Sequence, residues 1–168
     1  MWRDDYQWSR RFLPEMKRVV GEHLIGEAPV EEDAERNTDL VVLKLEAVRI
    51  ACRVRKADCA VRYGHQFTIR CSRPSGVKTE LAKVVEGWGD YLLYGFANDR
   101  EDALLGWLLG DLRVFRLWWS SYLVKNHGDQ PGRLIPNRDG SSEFRAFTIA
   151  DLPPKFVVAR KLPIAEAA

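Results

Sequence analysis

The chain has 168 residues, of which 46% are hydrophobic and 30% charged, and its formal net charge is +2. These totals exclude a disordered polar chain and a bundle of membrane helices, and a single domain of this length, spanning residues 1–168, buries roughly two-thirds of its unfolded surface without a disulfide or structural metal. No apolar stretch approaches a bilayer span and Met1 to Asp5 lack the apolar centre of a signal peptide, so a cytoplasmic location without a membrane partner is expected.

Residues 1–13 mix Trp2, Tyr6, Trp8 and Phe12 with arginine and aspartate and read as a lead-in. Pro14 suits a first helical turn, Met16, Val19, Val20 and Leu24 recur at helical spacing, and Gly26 can end the run. A helix is therefore predicted over residues 13–25, with Glu22 on its polar side. The link at 27–38 is strongly acidic, carrying Glu31, Glu32, Asp33 and Glu35. Two strand-like runs follow, 39–46 and 48–55, close enough for a tight antiparallel hairpin near Glu46 and Ala47. In the second run Val48, Ile50, Cys52 and Val54 fall on one face and Arg49, Ala51, Arg53 and Arg55 on the other. After a short polar link, a third strand over 66–72 sets Phe67, Ile69 and Cys71 against Gln66, Thr68, Arg70 and Ser72. If it pairs with the second, two arginine rows become neighbours and repel, which calls for an anionic ligand or interleaved carboxylates; a solvated outer face is the alternative.

Turn residues 72–76 lead to a helix starting near Val77, with Leu81, Val84, Val85 and Trp88 on its buried stripe, Glu80 and Lys83 off it, and Gly87 and Gly89 at its end. Residues 90–97 are a near-continuous apolar run, as expected of a strand covered on both faces. Another strand is predicted over 104–109, broken by Gly110 and Asp111, and Asp111 can cap a helix holding Leu112, Phe115, Trp118, Trp119 and Tyr122. Helical spacing assigns that aromatic stripe to the core and not to a base-stacking platform. Residues 127–140 read as the longest loop, and strands at 143–149 and 156–159 close the chain. Cys52, Cys59 and Cys71 lack CxxC spacing and read as buried thiols.

Charge is unevenly spread. Residues 1–48 carry seven Lys/Arg against eleven Asp/Glu, residues 49–83 nine against two, and residues 84–168 ten against eleven. The basic middle suits a phosphate-rich partner.

The order helix, three strands, helix, strand over residues 13–97 resembles the core of the restriction-endonuclease-like superfamily, whose nucleases carry a PD-(D/E)XK signature. The segments Thr38 to Leu40, Ala51 to Arg55, Phe67 to Arg70, Thr79 to Lys83 and Gly87 to Phe96 also resemble those of a group of phage and bacterial proteins. The resemblance implies an α/β (α+β) fold, an αβββαβ core on a mixed sheet with C-terminal additions over about 103–160. It implies a metal-dependent nuclease acting on DNA phosphodiesters with Mg2+ or Mn2+. Asp39 matches the carboxylate that the family places at the start of a strand. Arg53-Val54-Arg55 stands where Glu-x-Lys is expected, and arginine neither ligates magnesium nor acts as a base at neutral pH. The resemblance then leaves the second carboxylate to Glu80 or Asp33, with Glu22 as a third candidate, and gives Lys83 the place of the lysine. The implied catalytic set is Asp39, Glu80 and Lys83, the metal ligands Asp39, Glu80 and Asp33, and the DNA contacts Arg53, Arg55, Arg70, Arg73 and Lys78. The departure from the motif supports an alternative, a non-catalytic nucleic-acid- or nucleoprotein-binding module. Such a phage factor would occupy a host nucleoprotein in a bacterial or phage-infected cell, as a single chain or a homodimer. A small-molecule phosphate enzyme is the third reading, but the chain has neither GxxxxGK[ST] nor GxGxxG.

Overall fold

The apolar run expected to be covered on both sides is the inner strand around which the protein is built. A computed structural model describes residues 7–27, 40–42, 48–137 and 139–161. In it, Tyr91–Ala97 (β5) sends Leu93 and Ala97 to one face and Leu92, Tyr94 and Phe96 to the other, all buried. It lies in a four-stranded sheet between Ile50–Arg55 (β3), which runs parallel to it, and Leu104–Asp111 (β6), which runs antiparallel; Val157–Lys161 (β9) pairs antiparallel with the far side of β6. A second, antiparallel sheet has the order Gln66–Ser72 (β4), Glu143–Thr148 (β8), Arg133–Pro136 (β7). Ile25–Glu27 (β1) and Leu40–Val42 (β2) pair antiparallel with each other. The fold is mixed α and β, and among the described residues no helix is long and apolar enough to cross a membrane.

One face of the four-stranded sheet is covered by the helix Leu13–Leu24 (α1), whose Met16 and Val19, with Phe12 just before them, pack on Leu93, Leu104 and Leu109. That burial is the predicted amphipathic stripe. The helix is tied down further where Glu15 accepts from the Leu104 backbone N–H at 2.6 Å and Trp8 donates to Glu101 at 2.6 Å. The opposite face meets the second sheet and the helix Leu112–Lys125 (α4) in an aromatic core. There Phe67 lies within 5.3–6.2 Å of Phe147, Phe156, Tyr94 and Phe115. Asp111 caps α4 as expected, accepting from the N–H groups of Arg113 and Val114.

Several expectations are corrected. β4 pairs with β8 and not with β3, so their arginines come from different sheets. The residues read as a polar link after β3 contain a short helix, Asp58–Tyr63 (α2), and the long loop contains β7. The helix expected from Val77 starts at Glu80, capped by the Thr79 hydroxyl, and runs to Val85 (α3). Strand β6 continues through Gly110, because a Cβ there would stand 2.4 Å from the Phe156 ring; the glycine makes room for a side chain and does not break the strand. Cys52 is exposed on β3, the outermost strand of its sheet among the described residues, while Cys59 and Cys71 are partly buried. The turn of the expected 39–55 hairpin lies outside the described residues, within which β2 pairs with β1 and β3 with β5.

Candidate functional site

Alternation along β3 decides where its charges go. Ile50 and Val54 turn toward the α1 side, so Arg53 and Arg55 share the opposite face with their parallel partners Tyr94 and Phe96 on β5. The chain then turns immediately into α2, which buries Ala60 and leaves Asp58, Arg62 and Tyr63 exposed. It returns along β4, where Gln66, Thr68 and Arg70 share one face. Antiparallel register extends that face to Phe144, Ala146 and Thr148 on β8 and to Arg133 and Ile135 on β7.

Together these elements enclose a cleft of about 440 Å³. Arg55, Arg62 and Arg133 reach it from β3, α2 and β7, and Asp58 is the one carboxylate that lines it among the described residues. Tyr63, Tyr94, Phe96 and Phe144 supply aromatic wall, and Thr68 and Tyr94 share a hydroxyl–hydroxyl hydrogen bond of 3.1 Å. Arg55 donates to Cys59 Sγ at 3.6 Å. Burial opposes the Arg55 charge, but Tyr94, Cys59 and Asp58 more than offset it and its pKa lies above the ordinary arginine value. The cation is thus permanent at any physiological pH.

A second cluster forms the shoulder of the cleft. Arg53 donates to Glu80 Oε2 at 3.0 Å, and the Arg70 backbone N–H reaches the same oxygen at 3.4 Å. Both guanidinium carbons lie over the Phe144 ring, at 4.8 Å for Arg53 and 5.2 Å for Arg70, as cation–π contacts. Burial pulls the Arg53 pKa down against the attraction of Glu80. Arg70 Nε is buried and has no hydrogen-bond partner among the described residues.

Among protein-family models, curated proteins and solved structures, none matches this chain.

Of the residues singled out from the sequence, Arg53, Arg55, Arg70 and Glu80 come together at the cleft and its shoulder. Lys83 is exposed on α3, and Lys78 forms an ion pair with Glu86. Arg73 follows the end of β4 and does not line the cleft. Glu22 pairs with Arg18 at 2.5 Å on α1, across the four-stranded sheet from the cleft. Asp39 and Asp33 lie outside the described residues. Among the described residues no group of three or more His, Cys, Asp or Glu is arranged to hold a metal ion, and the Glu80 carboxylate is already engaged by Arg53 and a backbone N–H. The described donors therefore do not fit a divalent cation, which needs several oxygen ligands.

The sequence reading missed Arg62, Tyr63, Arg133 and Phe144. Arg62 and Tyr63 sit in the stretch read as a link, and Arg133 opens a strand of four residues hidden inside a Gly- and Pro-rich segment. The apolar pair Leu134-Ile135 between turn residues was the available signal for that strand.

Proposed function

We propose that this protein binds the phosphate backbone of nucleic acid in the cleft between its four-stranded and three-stranded sheets. The observation that carries the reading is the meeting of three guanidinium groups from three separate elements, against a single carboxylate among the described residues, in an aromatic-walled hollow. Forked, permanently charged arginines suit phosphate oxygens, and aromatic faces suit bases of any sequence. Arg53 and Arg70 at the shoulder extend the positive surface, with Glu80 offsetting their mutual repulsion.

The test is fluorescence anisotropy with a labelled DNA oligonucleotide across a salt series. Binding should weaken steeply with salt and survive chelation. Arg55→Gln, Arg62→Gln and Arg133→Gln should each lower affinity and flatten the salt slope, by about one unit per lost phosphate contact. Affinity unchanged in all three variants refutes the reading.

A second reading adds metal-dependent phosphodiester cleavage, and its support is the position of Glu80 beside the arginines. It requires Asp39 or Asp33 to join Glu80 around Mg2+ or Mn2+, with Lys83 nearby. It also requires a restriction-endonuclease-like core, whereas β3 and β4 belong to different sheets; for that reason cleavage ranks second here. Incubation with plasmid and linear DNA, with either metal and then with chelator, separates the two. Cleavage lost in Asp39→Ala establishes the second reading, and intact DNA alongside salt-sensitive binding leaves attachment as the activity.

A further inference from the structure

A second hollow, of about 540 Å³, adjoins the cleft, and the two share Gln66 and Arg133 as common lining. The strand register makes them neighbours on one sheet face. Thr68 and Phe144 line the cleft, Ala146 and Thr148 line the second hollow, and all four share the face that carries Gln66 and Arg133. The far wall of the second hollow is α4, which presents Trp118 and Tyr122, their rings tilted at 51° with centroids 5.8 Å apart. Phe115 and Trp119 on the same helix are buried, whereas Trp118 and Tyr122 keep partial exposure, so the aromatic stripe is divided between core and hollow.

Polar chemistry differs between the two hollows. The cleft holds Arg55 and Arg62; the second hollow holds Thr148 and the carboxylate of Asp151, with Arg133 on the boundary. A phosphate is favoured in the cleft and at the boundary and is repelled beside Asp151, where an uncharged base with donor edges is the better occupant. Gln66 is only 7% exposed, and it lines both hollows.

Resting on the nucleic-acid reading above, we infer that the ligand is an unpaired strand that runs from the arginine cleft past Gln66 and Arg133 into the Trp118–Tyr122 hollow. Each hollow has the size of a pocket for one small ligand, such as a nucleotide. Aromatic walls inside concave hollows can be reached by bases only when these are free of a duplex stack. Gln66 supplies both a donor and an acceptor where the strand crosses from one hollow to the other.

The experiment compares a labelled single-stranded decamer, a hairpin duplex carrying the same sequence and a mononucleotide, by anisotropy and by competition. Wild type, Arg55→Gln, Gln66→Leu, Tyr122→Leu and Trp118→Phe are measured, with thermal melts to establish that each is folded. Trp118 packs on Phe115 and Phe147, so Tyr122→Leu, which keeps an apolar side chain, is the variant that decides if Trp118→Phe is unfolded. The decamer should bind at least tenfold tighter than the duplex. Tyr122→Leu should weaken the decamer by about five- to a hundredfold, the range for loss of one stacked base, while mononucleotide binding in the cleft stays unchanged. Equal affinity for duplex and decamer, or a decamer affinity that falls in Arg55→Gln but not in Tyr122→Leu, overturns the inference and leaves the basic-cleft reading standing. Absence of binding to any of the three probes overturns both.

Discussion

Arg53 carries its charge with its side chain only 21% exposed, and Glu80 Oε2 at 3.0 Å is the carboxylate that balances it. Glu80 itself is 47% exposed, so water screens the pair and its contribution is nearer that of a surface bridge than of a buried one. Glu80→Gln should therefore lower stability by only about 1 kcal/mol, read from the urea midpoint. It should also raise oligonucleotide affinity a few-fold, because a negative charge leaves the rim of the cleft while the amide still accepts from Arg53. If Glu80 were a metal ligand, the same variant would also abolish cleavage, so one protein sample separates the readings. The thiols give a pH signature. Cys52 is exposed as a residue, but the packing around its Sγ, which rests 3.9 Å from the Ile50 carbonyl oxygen, desolvates the thiol and pushes its pKa up, and burial does the same for the partly buried Cys71. A raised folded-state pKa means that the unfolded chain loses its thiol protons first. Stability from this source is complete below about 8.5, the unfolded value, and is lost as pH climbs through the folded values. The urea midpoint of the wild type should thus drop more between pH 7.5 and pH 9.5 than that of the Cys52→Ser, Cys71→Ser variant. Equal drops would contradict the assignment.

Gly110 sits in β6 where the sequence reads as a strand break, but the Phe156 ring fills the space over it. Gly110→Ala must displace that ring and should cost about 1–3 kcal/mol, and Phe156→Leu in the same chain should recover part of it in a thermal melt. An alanine variant as stable as wild type would show that the ring has room to move. The same logic of packing explains which elements were legible. α1, β5 and α4 announce themselves because each buries a long regular stripe: a helical period in the first and third, a two-sided apolar run in the second. α2 is too short to show a period, and β7 has four residues of which one is proline. The pairing of β4 with β8 joins residues more than seventy positions apart, and no local pattern encodes such a partner. Adjacency in sequence favoured β3 as the neighbour, and three-dimensional packing chose otherwise.

Across the whole molecule, both sheets and α4 meet at Phe67, which is fully buried among Tyr94, Phe115, Phe147 and Phe156. Phe67→Ala should cost about 3–5 kcal/mol, the usual range for emptying a large core site, and it should loosen the cleft because its neighbour Thr68 holds Tyr94. A loss below about 1 kcal/mol in chemical denaturation would mean that the two sheets do not depend on one another. The site was half legible for related reasons. Alternation in β3 and β4 placed Arg53, Arg55 and Arg70 on open faces; Arg53 and Arg70 converge on Phe144 and Glu80 and not through direct strand pairing, while Arg55 lines the cleft beside them. Arg62 and Arg133 were hidden with the elements that carry them.

The distance along the chain between β4 and β8 also has a consequence for biosynthesis. As the polypeptide leaves the ribosome, Phe67 and Ile69 emerge on a strand whose partner, residues 143–148, has yet to be translated. At about 5–20 residues per second, that apolar edge waits several seconds for its mate, a window in which a chaperone or an aggregate competes with the native pairing. Synonymous changes that slow translation between β4 and β8 should therefore lower the soluble yield while leaving the finished protein unaltered.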